Sequence, residues 1–176
     1  MTEDASTAAP AEVLEARGAV FKLHEHPDRT ELGEVCAALG IGVERTVKTL
    51  AFVTGDDRLL LAAVPGHARL RYGALARAAG ARRAELRPAG AGRLAALGME
   101  PGGVCPVSAD SSATVVYDGT IATAGHAQVF CGSGHRDSTI EIAAADLLAA
   151  VPGARTADIA DIPDVRDSPG TPGQQR

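Results

Sequence analysis

The chain has no tryptophan and only three phenylalanines and two tyrosines in 176 residues, so its core must be built mainly from Ala, Val and Leu. It has no apolar run of membrane-span length. It also lacks a basic N-terminal region followed by an apolar stretch, so the cytoplasm is the expected location. Cysteine is scarce: Cys36, Cys105 and Cys131 are odd in number and far apart, with no CxxC spacing. That argues against both a disulfide framework and a structural zinc site and favours reduced thiols. No glycine-rich phosphate loop follows a first strand, which disfavours a doubly wound nucleotide fold. His24 and His26 could share one face of a strand and bind a metal, but they lack a third ligand, so a surface or turn role is expected of them, and no cofactor is expected of the chain. Lysine is the scarcest cation. Of 17 basic residues only Lys22 and Lys48 are lysine.

One of these two lysines stands out. The β-branched and aromatic content of residues 44–54 indicates a strand, and a period of two puts Lys48 on the same face as Leu50 and Phe52. If that face points inward, an ammonium group is held in or beside the core. Such a charge is seldom buried without an anion, so Lys48 would line a cleft. If the opposite face is the buried one, Lys48 is a solvated strand residue. The net charge of −5 speaks against extensive coating of nucleic acid. The basic charge is nevertheless clustered: Arg69, Arg71, Arg77, Arg82, Arg83, Arg87 and Arg93 fall in one stretch with Glu85 as its single acid. This segment suits either a local contact with phosphates or a solvated helix face.

Length fits one domain with a substantial core. Residues 1–8 and 162–176 have no periodic apolar face and read as tails, which leaves 9–161 as the folded unit. Within it, helices are expected at 11–17, 30–39, 70–79, 89–97 and 143–150, with Thr30 as an N-cap and Gly40 as a stop. Strands are expected at 20–24, 44–54, 58–64, 82–86, 114–117, 121–123, 128–131 and 139–142, with a hairpin turn at residues 55–57. The fold class is α/β (α+β): a mixed, partly closed barrel-like sheet with helices packed outside.

Two loops could carry chemistry. In Gly102-Gly103-Val104-Cys105-Pro106 the paired glycines allow close approach of a ligand, and backbone amides there could hold an oxyanion. Gly132-Ser133-Gly134-His135 directly follows a strand and offers a hydroxyl, an imidazole and backbone donors together. Ser133 and His135 are too close in sequence to be assumed a nucleophile and its base. A thiol route, with Cys105 or Cys131 activated by His126 or His135, is a further possibility.

In their order and spacing these segments resemble the YbaK family of aminoacyl-tRNA editing domains, the domain also inserted in bacterial prolyl-tRNA synthetases. The resemblance covers roughly residues 10–160. It rests on Val47-Lys48-Thr49-Leu50, on the loop from Gly102 to Pro106, and on Gly132-Ser133-Gly134-His135-Arg136 leading into Ile140-Glu141-Ile142-Ala143 and Asp146-Leu147. The resemblance implies a YbaK-like fold and a free-standing hydrolase of mischarged tRNA, with no covalent protein nucleophile and no metal. Lys48, Gly102 and Gly103 would then be catalytic. Thr49, Val104, Cys105, Pro106, Gly132, Ser133, Gly134 and His135 would bind substrate, and Arg69, Arg71, Arg82 and Arg83 would bind tRNA. The implied partner is the acceptor end of tRNA, with an aminoacyl-tRNA synthetase as a candidate second partner and neither DNA nor a membrane. The last loop departs from the family's Ser-Gly-Gly-Lys pattern. An aspartate often found a few residues later falls near Thr139. Cysteinyl-tRNA, or alanyl-tRNA on the proline acceptor, is the expected substrate, and a binding module that kept the fold without turnover is the rival reading.

Overall fold

The computed structural model describes residues 8–28 and 31–163. Helix α1 (Pro10–Ala16) opens on a proline, whose missing amide would be unpaired in a first turn anyway. Strand β1 (Phe21–Glu25) and helix α2 (Leu32–Leu39) follow, and Gly40 stops α2 in the left-handed region, at φ 66°. Glu31 occupies the N-cap position of α2, and Thr30 lies outside the described residues. A 3-10 turn, Val43–Arg45, feeds β2 (Thr46–Val53), which forms an antiparallel hairpin with β3 (Leu59–Pro65). Short β4 (Arg69–Leu70), α3 (Tyr72–Ala79), β5 (Arg87–Pro88) and α4 (Ala91–Ala95) come next. The chain continues through β6 (Thr114–Asp118), α5 (Thr120–Thr123), β7 (Gln128–Gly132), β8 (Ser138–Ala143) and α6 (Ala144–Ala149), and then β9 (Arg155–Ala157) and β10 (Ala160–Asp161).

The main sheet runs β1-β8-β7-β2-β3-β6-β9, with β5 on β2, while β4 and β10 form a separate pair. β2 with β7, β3 with β6 and β6 with β9 are parallel, and the remaining pairs are antiparallel. The class is the expected mixed α/β fold, but the sheet keeps two edges and does not close. Both faces are covered. On one, Val47, Leu61, Tyr117 and Ile140 meet Leu14 of α1, Ile121 of α5 and Leu147 of α6. On the other, Phe52, Leu60, Val64 and Val116 meet Leu75 and Ala79 of α3 and Ile159. Burial on both faces explains why β3 is an unbroken apolar run rather than an alternating one.

Two strand expectations fail. Residues 82–86 form a 3-10 turn, Arg83–Glu85, and the pairing strand is Arg87–Pro88. In the 82–86 stretch only Leu86 is a large apolar side chain able to anchor a strand. Residues 121–123 lie in α5, because the Asp118 carboxylate accepts the Thr120 amide at 3.0 Å and turns the chain immediately after β6. That carboxylate is 1% exposed and organises more than one turn. One oxygen takes the amide and hydroxyl of Thr120, and the other takes the amides of Ile159 (2.9 Å) and Ala160 (2.8 Å). Burial would raise its pKa, but the Thr120 hydroxyl and the three amides together hold it below the usual carboxylate value. Strands β9 and β10, pinned to the body by these contacts, have no counterpart among the strands expected from sequence. Of the two expected tails, residues 1–7 and 164–176 lie outside the described residues.

Candidate functional site

The site arises from a split in the sheet. β2 pairs with β7 only through Thr46 to Phe130 and Val47 to Cys131, and with β5 only at Phe52 and Val53. Lys48, Thr49 and Leu50 are therefore paired with β3 alone. The space where β7 diverges is a cleft of about 270 Å³, bounded by Lys48 and Thr49, the Gly102–Gly103–Val104 loop, Phe130 to Gly132, and Leu32 and Val35 of α2. His26, Glu31, His135, Arg136, Ser138 and Thr139 complete its lining.

Lys48 does share a covered face with Leu50 and Phe52, since Phe52 is 4% exposed and Leu50 packs against the α3 side of the core. Its ammonium is half-buried and forms no ion pair among the described residues. Burial, reinforced by the nearby positive charge of Arg69, lowers its pKa from the ordinary lysine value. Beside it in sequence, the buried Thr49 hydroxyl has no hydrogen-bond partner among the described residues. Both residues line the cleft, although as strand neighbours their side chains leave β2 on opposite faces. Both are groups that a polar ligand would satisfy.

The loops are locked together backbone to backbone. Gly103 donates to Glu100 O (3.0 Å), Gly134 to Gly103 O (2.7 Å) and Glu100 to Gly134 O (2.8 Å), while the Arg136 amide donates to the Glu100 carboxylate (2.7 Å). A Cβ on Gly103 would lie 2.6 Å from the carbonyl carbon of His135, and one on Gly132 would lie 2.3 Å from Val104 O. The glycines are needed for this approach. The amides of Gly102 and Val104 make no backbone hydrogen bond among the described residues.

Of the residues singled out from sequence, Lys48, Thr49, Gly102, Gly103, Val104, Gly132 and His135 converge on the cleft. Cys105, Pro106, Ser133 and Gly134 do not line it. Cys105 is fully buried beside Cys131, and the Pro106 carbonyl faces the Tyr117 hydroxyl at 3.4 Å. Ser133 Oγ is spent on Ser138, 2.7 Å from its hydroxyl and 3.0 Å from its carbonyl oxygen. Gly134, at φ 104°, packs on Gly98 O. The four arginines also lie outside the lining: Arg69 and Arg83 are exposed, Arg71 pairs with Asp158 at 2.6 Å, and Arg82 lies 3.6 Å from Glu85.

The thiol route loses its chemistry. A hydrogen bond with Cys105 and complete burial push the Cys131 thiol well up, away from the thiolate a nucleophile needs. His126 lines a separate cavity of about 200 Å³ with Glu44 and His67. Sequence reasoning missed His26, Phe130, Arg136 and Thr139. Arg136 ties the rim together through Asp28 at 3.1 Å and Glu100 at 3.7 Å. Arg45 lies over the Phe130 ring, 5.1 Å from its centre. The two histidines, both partly exposed, make specific bonds, His24 to Glu141 at 2.6 Å and His26 to Thr139 at 2.9 Å. Alternation along β1 was the available signal, since it puts His24 and His26 on one face. Among the described residues no group of three or more His, Cys, Asp or Glu is placed to hold a metal ion.

The open mixed sheet flanked by helices is the mixed α/β fold of solved aminoacyl-tRNA editing relatives. This chain is a member of the aminoacyl-tRNA editing domain family: the family model matches residues 26–150. Among solved structures it is similar to the hypothetical protein APE2540, with a TM-score of 0.73 and 27% identity over 86% of this chain and 98% of that one. It is also similar to "a putative trans-editing enzyme for prolyl tRNA synthetase", with a TM-score of 0.71 and 29% identity over 85% of this chain and 93% of that one. No curated protein matches by sequence. Among the described residues no helix is long and apolar enough to cross a membrane.

Proposed function

We propose that this protein is a trans-acting aminoacyl-tRNA deacylase, hydrolysing the ester of mischarged tRNA, with cysteinyl-tRNA or alanyl-tRNA on the proline acceptor as its leading substrates. The observation that carries this reading is Lys48, a half-buried ammonium without a counter-ion among the described residues, in a cleft of about 270 Å³. A terminal adenosine phosphate or the polarised ester oxygen would supply the missing anion. The free amides of Gly102 and Val104 would then face the oxygen that becomes negative as water adds to the carbonyl carbon. Collapse of that adduct breaks the bond to the ribose oxygen, and the products are free amino acid and tRNA. No protein nucleophile is required, which suits a site whose serine and thiols are buried and otherwise engaged.

The rival reading is a binding module of the same fold without turnover. The purified protein should be tested against a panel of mischarged tRNAs. Deacylation well above the uncatalysed rate for at least one member is expected. Intact tRNA binding with only background hydrolysis throughout the panel would overturn the deacylase reading in favour of the rival.

A further inference from the structure

His26, on the rim of the cleft, is hydrogen-bonded through both ring nitrogens. Nδ1 lies 2.9 Å from the carbonyl oxygen of Pro27, and Nε2 lies 2.9 Å from the hydroxyl of Thr139. A carbonyl oxygen can only accept, so the neutral ring carries its proton on Nδ1 and leaves Nε2 as an acceptor. Thr139 must then donate its single hydroxyl hydrogen to His26. Its oxygen, with no other partner among the described residues, keeps lone pairs for the cleft and has no proton to give. The cross-strand neighbour of Thr139 on β7 is Gly132, which has no side chain to cover it. Thr139 is thus an acceptor-only group on the cleft wall, and its direction is set by a histidine 113 residues away in sequence.

A wall group that can only accept selects a ligand that donates. We propose that Thr139, oriented by His26, accepts a hydrogen bond from the α-amine of the aminoacyl ester, so that the cleft distinguishes aminoacyl groups from acyl groups lacking that amine. The inference rests on the deacylase reading for the identity of its ligand. An α-amine donates in either protonation state, which a neutral hydroxyl acceptor tolerates. The cationic neighbours do not oppose it strongly: Arg136 is neutralised by Asp28 and Glu100, and Lys48 stands on β2, across β7 from β8. Glu31, exposed at the mouth, is the carboxylate acceptor in the lining, and the Thr49 hydroxyl is a second hydroxyl acceptor there.

The test uses the full chain and two non-hydrolysable probes, 3′-alanylamino-3′-deoxyadenosine and its 3′-propionylamino counterpart, which differ only in the α-amine. Calorimetry on the parent should give an alanyl-over-propionyl affinity ratio of about 10 to 100, the size of one hydrogen bond to a charged group. Thr139→Val should bring that ratio close to one, Thr139→Ser should restore it, and Glu31→Gln should leave it in place. Equal binding of the two probes by the parent, a ratio unchanged in Thr139→Val, or a ratio lost only in Glu31→Gln would overturn the inference. Turnover is measured separately on mischarged tRNA. A normal affinity ratio without turnover overturns the deacylase reading and leaves amine recognition standing.

Discussion

At the scale of single residues, the role proposed for Lys48 carries a cost in stability. An ammonium placed where burial and Arg69 lower its pKa is charged against its surroundings until a ligand supplies an anion. Lys48→Ala should remain folded and lose roughly 30- to 1000-fold in kcat/KM, the equivalent of about 2 to 4 kcal/mol for a lost electrostatic contact in the transition state. Steady-state kinetics beside a thermal melt would check both halves, and parent-like turnover would remove Lys48 from the chemistry. The sign of the stability effect follows from linkage. With its pKa lowered on folding, the penalty is complete below the folded pKa, shrinks as pH rises through it because the native state then binds fewer protons than the unfolded chain, and is gone above the unfolded pKa. Lys48→Met, which keeps the stem without the charge, should therefore melt at or above the parent temperature at pH 7, and any gain should shrink as pH rises into the lysine range.

At the scale of elements, one set of contacts locks the loops of the site together and another ties the end of β6 to the last segments of the fold. The Gly102–Gly103–Val104 loop meets the Gly132–Arg136 loop through main chain, and neither backbone can swing aside for a new methyl group. Gly103→Ala should cost about 1 to 3 kcal/mol in chemical denaturation, the usual range for overpacking, and should lower activity because the loop amides move. The second set centres on Asp118, whose four donors tie β6 to α5 and to the segment before β10. Replacing it with Ala leaves buried amides unpaired and should cost about 3 kcal/mol or more. Because its folded pKa is depressed, this stabilisation is complete above the ordinary carboxylate pKa and is lost as pH falls through the lower folded value. Acid titrations of parent and Asp118→Asn should therefore differ most at neutral pH and converge at the acid end.

At the scale of the whole molecule, an acidic protein carries seven of its seventeen basic residues between Arg69 and Arg93, most of them exposed. Arg71 and Arg82 are engaged with Asp158 and Glu85, but such exposed pairs are weak and can be exchanged for phosphate. Arg82→Ala with Arg83→Ala should raise KM for charged tRNA more than it lowers kcat, since these side chains would hold ground and transition states alike. Binding should weaken with salt at a shallow slope, about 0.7 to 0.9 per phosphate neutralised over a handful of phosphates. A loss of turnover at saturating tRNA with KM unchanged would place these arginines in the chemistry instead, and parent-like values of both would assign them to a solvated surface.

Local rules were sufficient for most of the elements and for the one anomalous lysine. Apolar periodicity located every α-helix described except α5, turn residues 55–57 located the β2–β3 hairpin, and the order of three short motifs pointed to the editing family. What local rules could not supply is direction across non-local pairings. Adjacent residues Gly132 and Ser133 have different fates because β7 leaves β2 just there, and only the pairing of separate strands reveals where it leaves. His26 and Thr139 meet because β1 and β8 pair in one register, a choice made by the buried faces of both strands. Residues 121–123 have strand-like composition but become a helix, because the Asp118 carboxylate binds the Thr120 amide and is itself held in place by amides from the far end of the chain. Residue types and short spacings are set by the chain alone. The open edge of β2, the free hydroxyl of Thr49 and the acceptor role of Thr139 exist only once distant segments have been brought into contact, since each depends on which neighbour is present or missing across space.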